Sequence, residues 1–109
     1  MNIKKFEPSV IFDFSKSVDY AEGGVVSKQV IKTERGNVTL FAFDKGQGLS
    51  EHSAPFDALV QVVEGQCEIT IGGKSYMLKA NESIIMPANI PHALKAAESF
   101  KMILTMIRA

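Results

Sequence analysis

The stretch Gly46 to Gly65, G-Q-G-L-S-E-H-S-A-P-F-D-A-L-V-Q-V-V-E-G, decides how this chain reads. A glycine-rich turn and His52 stand just ahead of a near-continuous apolar strand, Ala58 to Val63, whose one polar member is Gln61. Pro55 interrupts the histidine segment, which marks an edge position or a bulge, because proline cannot donate to a sheet ladder. Glu64-Gly65-Gln66 then turns the chain into Cys67-Glu68-Ile69-Thr70-Ile71. Period-two alternation there puts Cys67, Ile69 and Ile71 inside and Glu68 and Thr70 outside. Gly72-Gly73 is a two-residue hairpin signal leading into Ser75-Tyr76-Met77-Leu78.

The same grammar extends in both directions. Upstream, Val10-Ile11-Phe12-Asp13-Phe14 reads as a strand with Val10, Phe12 and Phe14 on one face, and the polar Ser15 to Glu22 as a turn. Val25 to Thr33 and Val38 to Phe43 are strand-like runs joined by Glu34-Arg35-Gly36-Asn37. Downstream, Ser83 to Met86 is a strand, Ala93 to Ser99 a strand followed by a turn, and Phe100 to Ile107 a final strand. That last run alternates Phe100, Met102, Leu104 and Met106 against Lys101, Ile103, Thr105 and Ile107. Roughly ten short strands cut by turn residues at close spacing predict an all-β fold closed as a jelly-roll barrel. The expected organisation is a single domain over 1–109, with an N-terminal strand or arm over 1–24 and the barrel over 25–109.

Composition narrows the function classes. Hydrophobic residues make up 46% and charged residues 22% of 109 residues, ordinary values for a globular domain. Twelve basic residues balance twelve acidic ones, so the basic excess that nucleic acid demands is missing. No apolar run approaches the roughly 20 residues of a membrane span, and Phe6-Glu7-Pro8-Ser9 follows Lys4-Lys5 where a signal peptide would turn apolar. The lone Cys67 excludes an internal disulfide and fits a reducing compartment. The expectation is a cytoplasmic protein with a small-molecule ligand and neither nucleic acid nor membrane as partner.

The architecture and two of its segments resemble the cupins, small β-barrels with the motifs G-x5-H-x-H-x3-4-E-x6-G and G-x5-P-x-G-x2-H-x3-N. Gly46, His52 and Gly65 fit the first motif, and Pro87 and His92 fit the second. The chain departs from the pattern at Ala54 (second histidine), Ala58 (glutamate), Asn81 and Asn89 (glycines) and Ala96 (asparagine). Asparagine tolerates positive φ better than other non-glycine residues, so Asn81 and Asn89 keep those turns possible. In metal-bearing relatives, three histidines and a glutamate converge on iron, manganese, nickel or a similar ion such as zinc. Here the resemblance leaves His52 and His92, the only two histidines in the chain, as metal candidates. Alanine brings no donor atom, and transition-metal sites usually have three or four protein ligands.

The resemblance implies a barrel pocket with His52 and His92 as polar contacts and Ala54, Ala58, Val60, Met86, Met102 and Leu104 as its wall. Methionines on that wall, Met106 included, would make it soft and adaptable. If Pro55 bulged the strand by one residue, Asp57 and Gln61 would turn inward and Asp57 could become a third ligand. Catalytic residues are left unassigned: no serine sits on a nucleophile elbow, Cys67 reads as a buried inert thiol, and no inward acid pair exists. Three activities stay open. The first is binding or sensing of a small, largely apolar molecule. The second is a metal-dependent, dioxygenase- or isomerase-like reaction at a two-histidine site. The third is metal-free proton transfer by one imidazole. A homodimer is expected, with the Val10 to Phe14 strand covered by a second subunit.

Overall fold

The computed structural model describes residues 6–108; residues 1–5 of the expected arm and residue 109 of the expected barrel lie outside that range. Nine strands follow one another: β1 Val25–Thr33, β2 Gly36–Phe43, β3 Gly48–His52, β4 Ala58–Glu64, β5 Gln66–Ile71, β6 Lys74–Lys79, β7 Ser83–Met86, β8 His92–Lys95 and β9 Phe100–Ile107. They form a five-stranded sheet, β1-β2-β9-β4-β7, and a four-stranded sheet, β3-β8-β5-β6. The pairs in both sheets are antiparallel, as in a jelly roll.

The inner faces of the two sheets enclose the main core. Ala58, Val60 and Val62 of β4 are buried together with Met102 of β9, Cys67 and Ile69 of β5, and Leu94 of β8. Phe43 and Phe100 stack in parallel, with centroids 4.6 Å apart. Gly65 between β4 and β5 has φ +78°, and a Cβ there would overlap the Ser99 carbonyl, so only glycine fits this close approach. Asn81 and Asn89 hold φ values of +74° and +64°, which keeps the two turns at which the family's glycines usually stand.

Two local expectations change. Val10 to Phe14 is no strand: the chain runs irregularly into a short 3-10 helix, Phe14–Lys16. Asp13 caps that helix, its Oδ1 accepting from the Ser15 N–H and hydroxyl at 2.9 Å each, which outcompetes extension where no neighbouring strand is paired. Pro55 lies in the loop between β3 and β4 rather than within a strand, and the irregular pairing falls between Leu49 and His52 instead. On the outer face of β9, Lys101 and Ile103 are only 7% and 6% exposed.

The cover over β9 explains that burial. Val18 packs with Leu40, Ala42 and Ile103 in a second core outside the barrel, flanked by Phe6, Phe14 and Tyr20. Lys101 Nζ donates to the Ser15 carbonyl, lies 3.6 Å from Glu64 Oε2 and sits 4.9 Å over the Tyr20 ring. The Tyr20 hydroxyl donates to the same Glu64 oxygen at 2.6 Å. Desolvation, reinforced by that carboxylate, raises the Tyr20 pKa. A buried ammonium left without partners would be costly, so Lys101 fastens residues 14–20 to the sheet. Replacing Lys101 with Ala is expected to lower unfolding free energy by about 1–3 kcal/mol. Cleavage within residues 6–20 should also quicken in limited proteolysis; unchanged stability and cleavage would refute the clamp.

Candidate functional site

Strand pairing brings the two histidines together. β3 lies beside β8 at the edge of the smaller sheet, with His52 directly opposite His92. Their rings meet edge to face, centroids 4.4 Å apart, and the two Nε2 atoms are separated by 3.2 Å. His52 is exposed at the rim, whereas His92 is 4% exposed. The pair therefore reaches from solvent to the barrel interior.

The backbone fixes the rim imidazole. His52 Nδ1 lies 2.8 Å from the Ser50 carbonyl, an acceptor only, so Nδ1 carries the hydrogen and neutral His52 presents a bare Nε2. His92 Nε2–H then donates to it, which leaves His92 Nδ1 buried with no hydrogen-bond partner. The other tautomer of His92 would set two Nε2 lone pairs face to face. Either a proton or a cation must occupy that contact.

Burial disfavours charge on the inner ring. The His92 pKa is lowered first by desolvation and next by His52; the Ile90 backbone, which approaches without closing a hydrogen bond, opposes the shift. Neutral His92 thus favours the fold above the ordinary histidine pKa of 6.5, and that contribution is lost as pH falls through the depressed value. The urea midpoint of the wild type should fall as the pH drops below the ordinary histidine value of 6.5. His92→Gln should flatten that part of the profile; parallel profiles would contradict the assignment.

Behind the pair lies a cavity of about 40 Å³. Ala54, Ala58, Met86, Met102 and Leu104 line it with the two histidines, as the sequence suggests. Val60 is fully buried in the core but forms no part of this wall. Leu49, Leu94 and Met106 complete it. Leu94 follows His92 by two residues and shares its face, a signal the period-two rule offers. Leu49 stands three before His52, and only the pairing irregularity between them brings both to one side.

Asp57 takes no part. The in-register β4 keeps Ala58 at 3% exposure, while Asp57 is exposed and its Oδ1 accepts from the Ala88 N–H at 2.8 Å. The slipped register and its third ligand are ruled out, because the slip would expel Val60 and Val62 from the core. Cys67 is buried, and desolvation pushes its thiol up to about 12, the wrong direction for a nucleophile. Among the described residues no three or more His, Cys, Asp or Glu side chains gather in a metal-holding group. The three-histidine, one-glutamate set does not fit these residues, since Ala54 and Ala58 occupy two of its four places.

A nine-stranded jelly roll with paired imidazoles at the mouth of an apolar interior defines a small cupin-like barrel. Residues 39–108 match the cupin domain family, and the chain belongs to it. It is similar over its whole length to a conserved protein of unknown function from Streptococcus pyogenes, with 34% identity, 96% of that chain covered and a TM-score of 0.91. A cupin 2 conserved barrel domain protein from Leptotrichia buccalis is 40% identical over 89% of this chain and 47% of its own, with a TM-score of 0.86. A cupin superfamily protein from Desulfitobacterium hafniense shares the fold at 22% identity, full coverage of both chains and a TM-score of 0.90. A 51-residue segment is 31% identical to the polyketide synthase CurC of Streptomyces cyaneus, spanning 46% of this chain and 33% of that protein. No helix among the described residues is long and apolar enough to cross a membrane.

Proposed function

We propose that this cupin is a binding module whose occupant is held between His52 and His92. The observation that carries the reading is the pair of Nε2 atoms 3.2 Å apart beside a cavity of about 40 Å³. A water needs only ~10–15 Å³ of such space, whereas sites for organic ligands usually run to ~300–1,000 Å³. The small, largely apolar molecule expected from the sequence enters only if methionine side chains swing aside, which their rotatable bonds permit. A single cation needs no such movement. Two nitrogens ~2.0–2.1 Å from one ion and 3.2 Å apart subtend about 100° at it, between the octahedral and tetrahedral angles. A cation there takes the place of the shared hydrogen, His92 carrying its own on Nδ1 instead, and the exposed His52 ring gives it an entry path.

Calorimetric titration of metal-stripped protein with zinc, nickel, manganese and Cu(I) should reveal one site. His52→Ala and His92→Ala should each weaken it by about tenfold or more. Equal binding by wild type and both variants, or none by the wild type, overturns the cation reading. A co-purifying organic molecule in native mass spectrometry, lost in His92→Ala, would then establish the apolar-ligand reading.

We infer further that the working form is a pair of chains. Apolar surface left bare supports this: Ile11 is 99% and Val10 52% exposed on the arm. Ile107 at 69% and Ile85 at 58% exposure line an outer groove of about 900 Å³ with Phe56 and Leu59. An apolar arm and an apolar groove on one chain suit an isologous pair, each arm entering the other's groove. Light scattering should give twice 11.9 kDa, and Ile107→Asp or Ile11→Asp should return the mass to 11.9 kDa. A monomeric wild type would defeat the pairing.

A further inference from the structure

Resting on the cation reading above, we propose that the occupant is a soft monovalent metal, Cu(I), held by His52, His92 and a thioether from Met86 or Met106. The donors converge on one cavity, whose wall includes both imidazoles and the methionines Met86, Met102 and Met106. Two of these methionines occupy a defined row. Ala58 of β4 lies directly opposite Met86 of β7 on one side and Met106 of β9 on the other. Directly paired residues point to the same face with Cβ atoms ~4.5–5.5 Å apart. Met86 and Met106 therefore flank the inner position at which the family pattern has a glutamate. Two thioether side chains thus line the cavity on either side of the position where the oxygen donor is missing.

Donor chemistry then selects the ion. Thioether sulfur is a soft, neutral ligand that favours Cu(I), while magnesium, manganese and other hard ions call for carboxylates. Among the described residues the cavity wall includes no carboxylate, and no three-membered His, Cys, Asp or Glu group exists. A dication would thus sit in an apolar chamber with no anionic ligand to offset its charge. The cost of moving an ion from water into a low-dielectric interior grows with the square of its charge, so a monocation is far less penalised. Cu(I) also accepts low coordination numbers, which two imidazoles and one sulfur satisfy. Met86 is 3% exposed and His92 4%, so bound Cu(I) would be screened from bulk solvent while His52 gives access from the rim.

The test is anaerobic competition for Cu(I) against a chromophoric Cu(I) chelator, using the full chain. One equivalent should bind. The double variant Met86→Leu/Met106→Leu keeps side-chain volume and should lose about tenfold or more in Cu(I) affinity. Its zinc binding should stay unchanged. Protein labelled with selenomethionine should show a selenium neighbour in copper-edge X-ray absorption. Cu(I) binding that depends on both histidines but not on the methionines, with no selenium neighbour, overturns the thioether assignment and leaves the cation reading intact. Zinc or nickel binding as tight as Cu(I) overturns the soft-ion assignment alone. Absence of any cation overturns both.

Discussion

The parity of β4 governs what the interior of this molecule contains. Each residue of Ala58–Glu64 commits its side chain to one of two spaces, and β4 is hydrogen-bonded to β7 on one edge and β9 on the other. A slip by one residue would exchange both faces at once. It would turn Gln61 inward and expel Val60 and Val62, each fully buried valine representing about 1.5–3 kcal/mol of transfer free energy. The end of the strand is pinned as well, since Gly65 approaches Ser99 and Phe100 too closely for any side chain. Ala58 is thereby held at an inward position between Met86 and Met106, and the chemistry of the cavity follows from it.

The resulting interior is nearly devoid of charge, and polar groups are sorted by face. Glu64, Lys101 and Tyr20 make their ion pair, hydrogen bond and ring contact beneath the arm, outside the barrel. Around the cavity, among the described residues, the imidazole pair alone interrupts hydrocarbon and sulfur. Low surrounding polarity strengthens any contact the rings make and penalises one left unmade. It also explains why His92, the ring more deeply placed, holds a proton less readily.

Much of this was legible in the sequence, and the parts that were not share a cause. Strand alternation identified the inner residues of β5 and β9, whereas the register of the near-continuously apolar β4 was read from the six residues between Ala58 and Gly65 in the motif that resembles the cupins. The meeting of His52 and His92, forty positions apart, was readable only through the resemblance of their two segments to cupins, because β3–β8 pairing is long-range. Leu49 was hidden by an irregularity in pairing, which a periodic rule cannot anticipate. Val10 to Phe14 misled for a different reason: its aromatic spacing imitates a strand, yet Asp13 and Ser15 supply local hydrogen bonds that start a 3-10 turn. The rings cluster there without a sheet, Phe6 on Phe12 at 4.8 Å and Phe12 on Phe14 at 5.0 Å. Cavity size was beyond reach altogether, since methionine rotamers decide it.

The two cores are not independent, because β9 belongs to both. Met102, Leu104 and Met106 face the cavity, while Lys101 and Ile103 between and before them are held under the arm. A strand packed on both faces has little freedom to translate or twist, since movement toward one core opens a gap in the other. The clamp at Lys101 therefore limits how far the methionine-bearing strand can withdraw from the histidines. Paired strands on either side add to this restraint, with β2 matched to β9 from Gly36 opposite Ile107 to Phe43 opposite Phe100. What adaptability the site has must come from side-chain rotation, not from strand displacement. That favours an occupant small enough to be reached by turning a thioether, and it makes the polar knot on the outside of the barrel a determinant of the apolar chamber within.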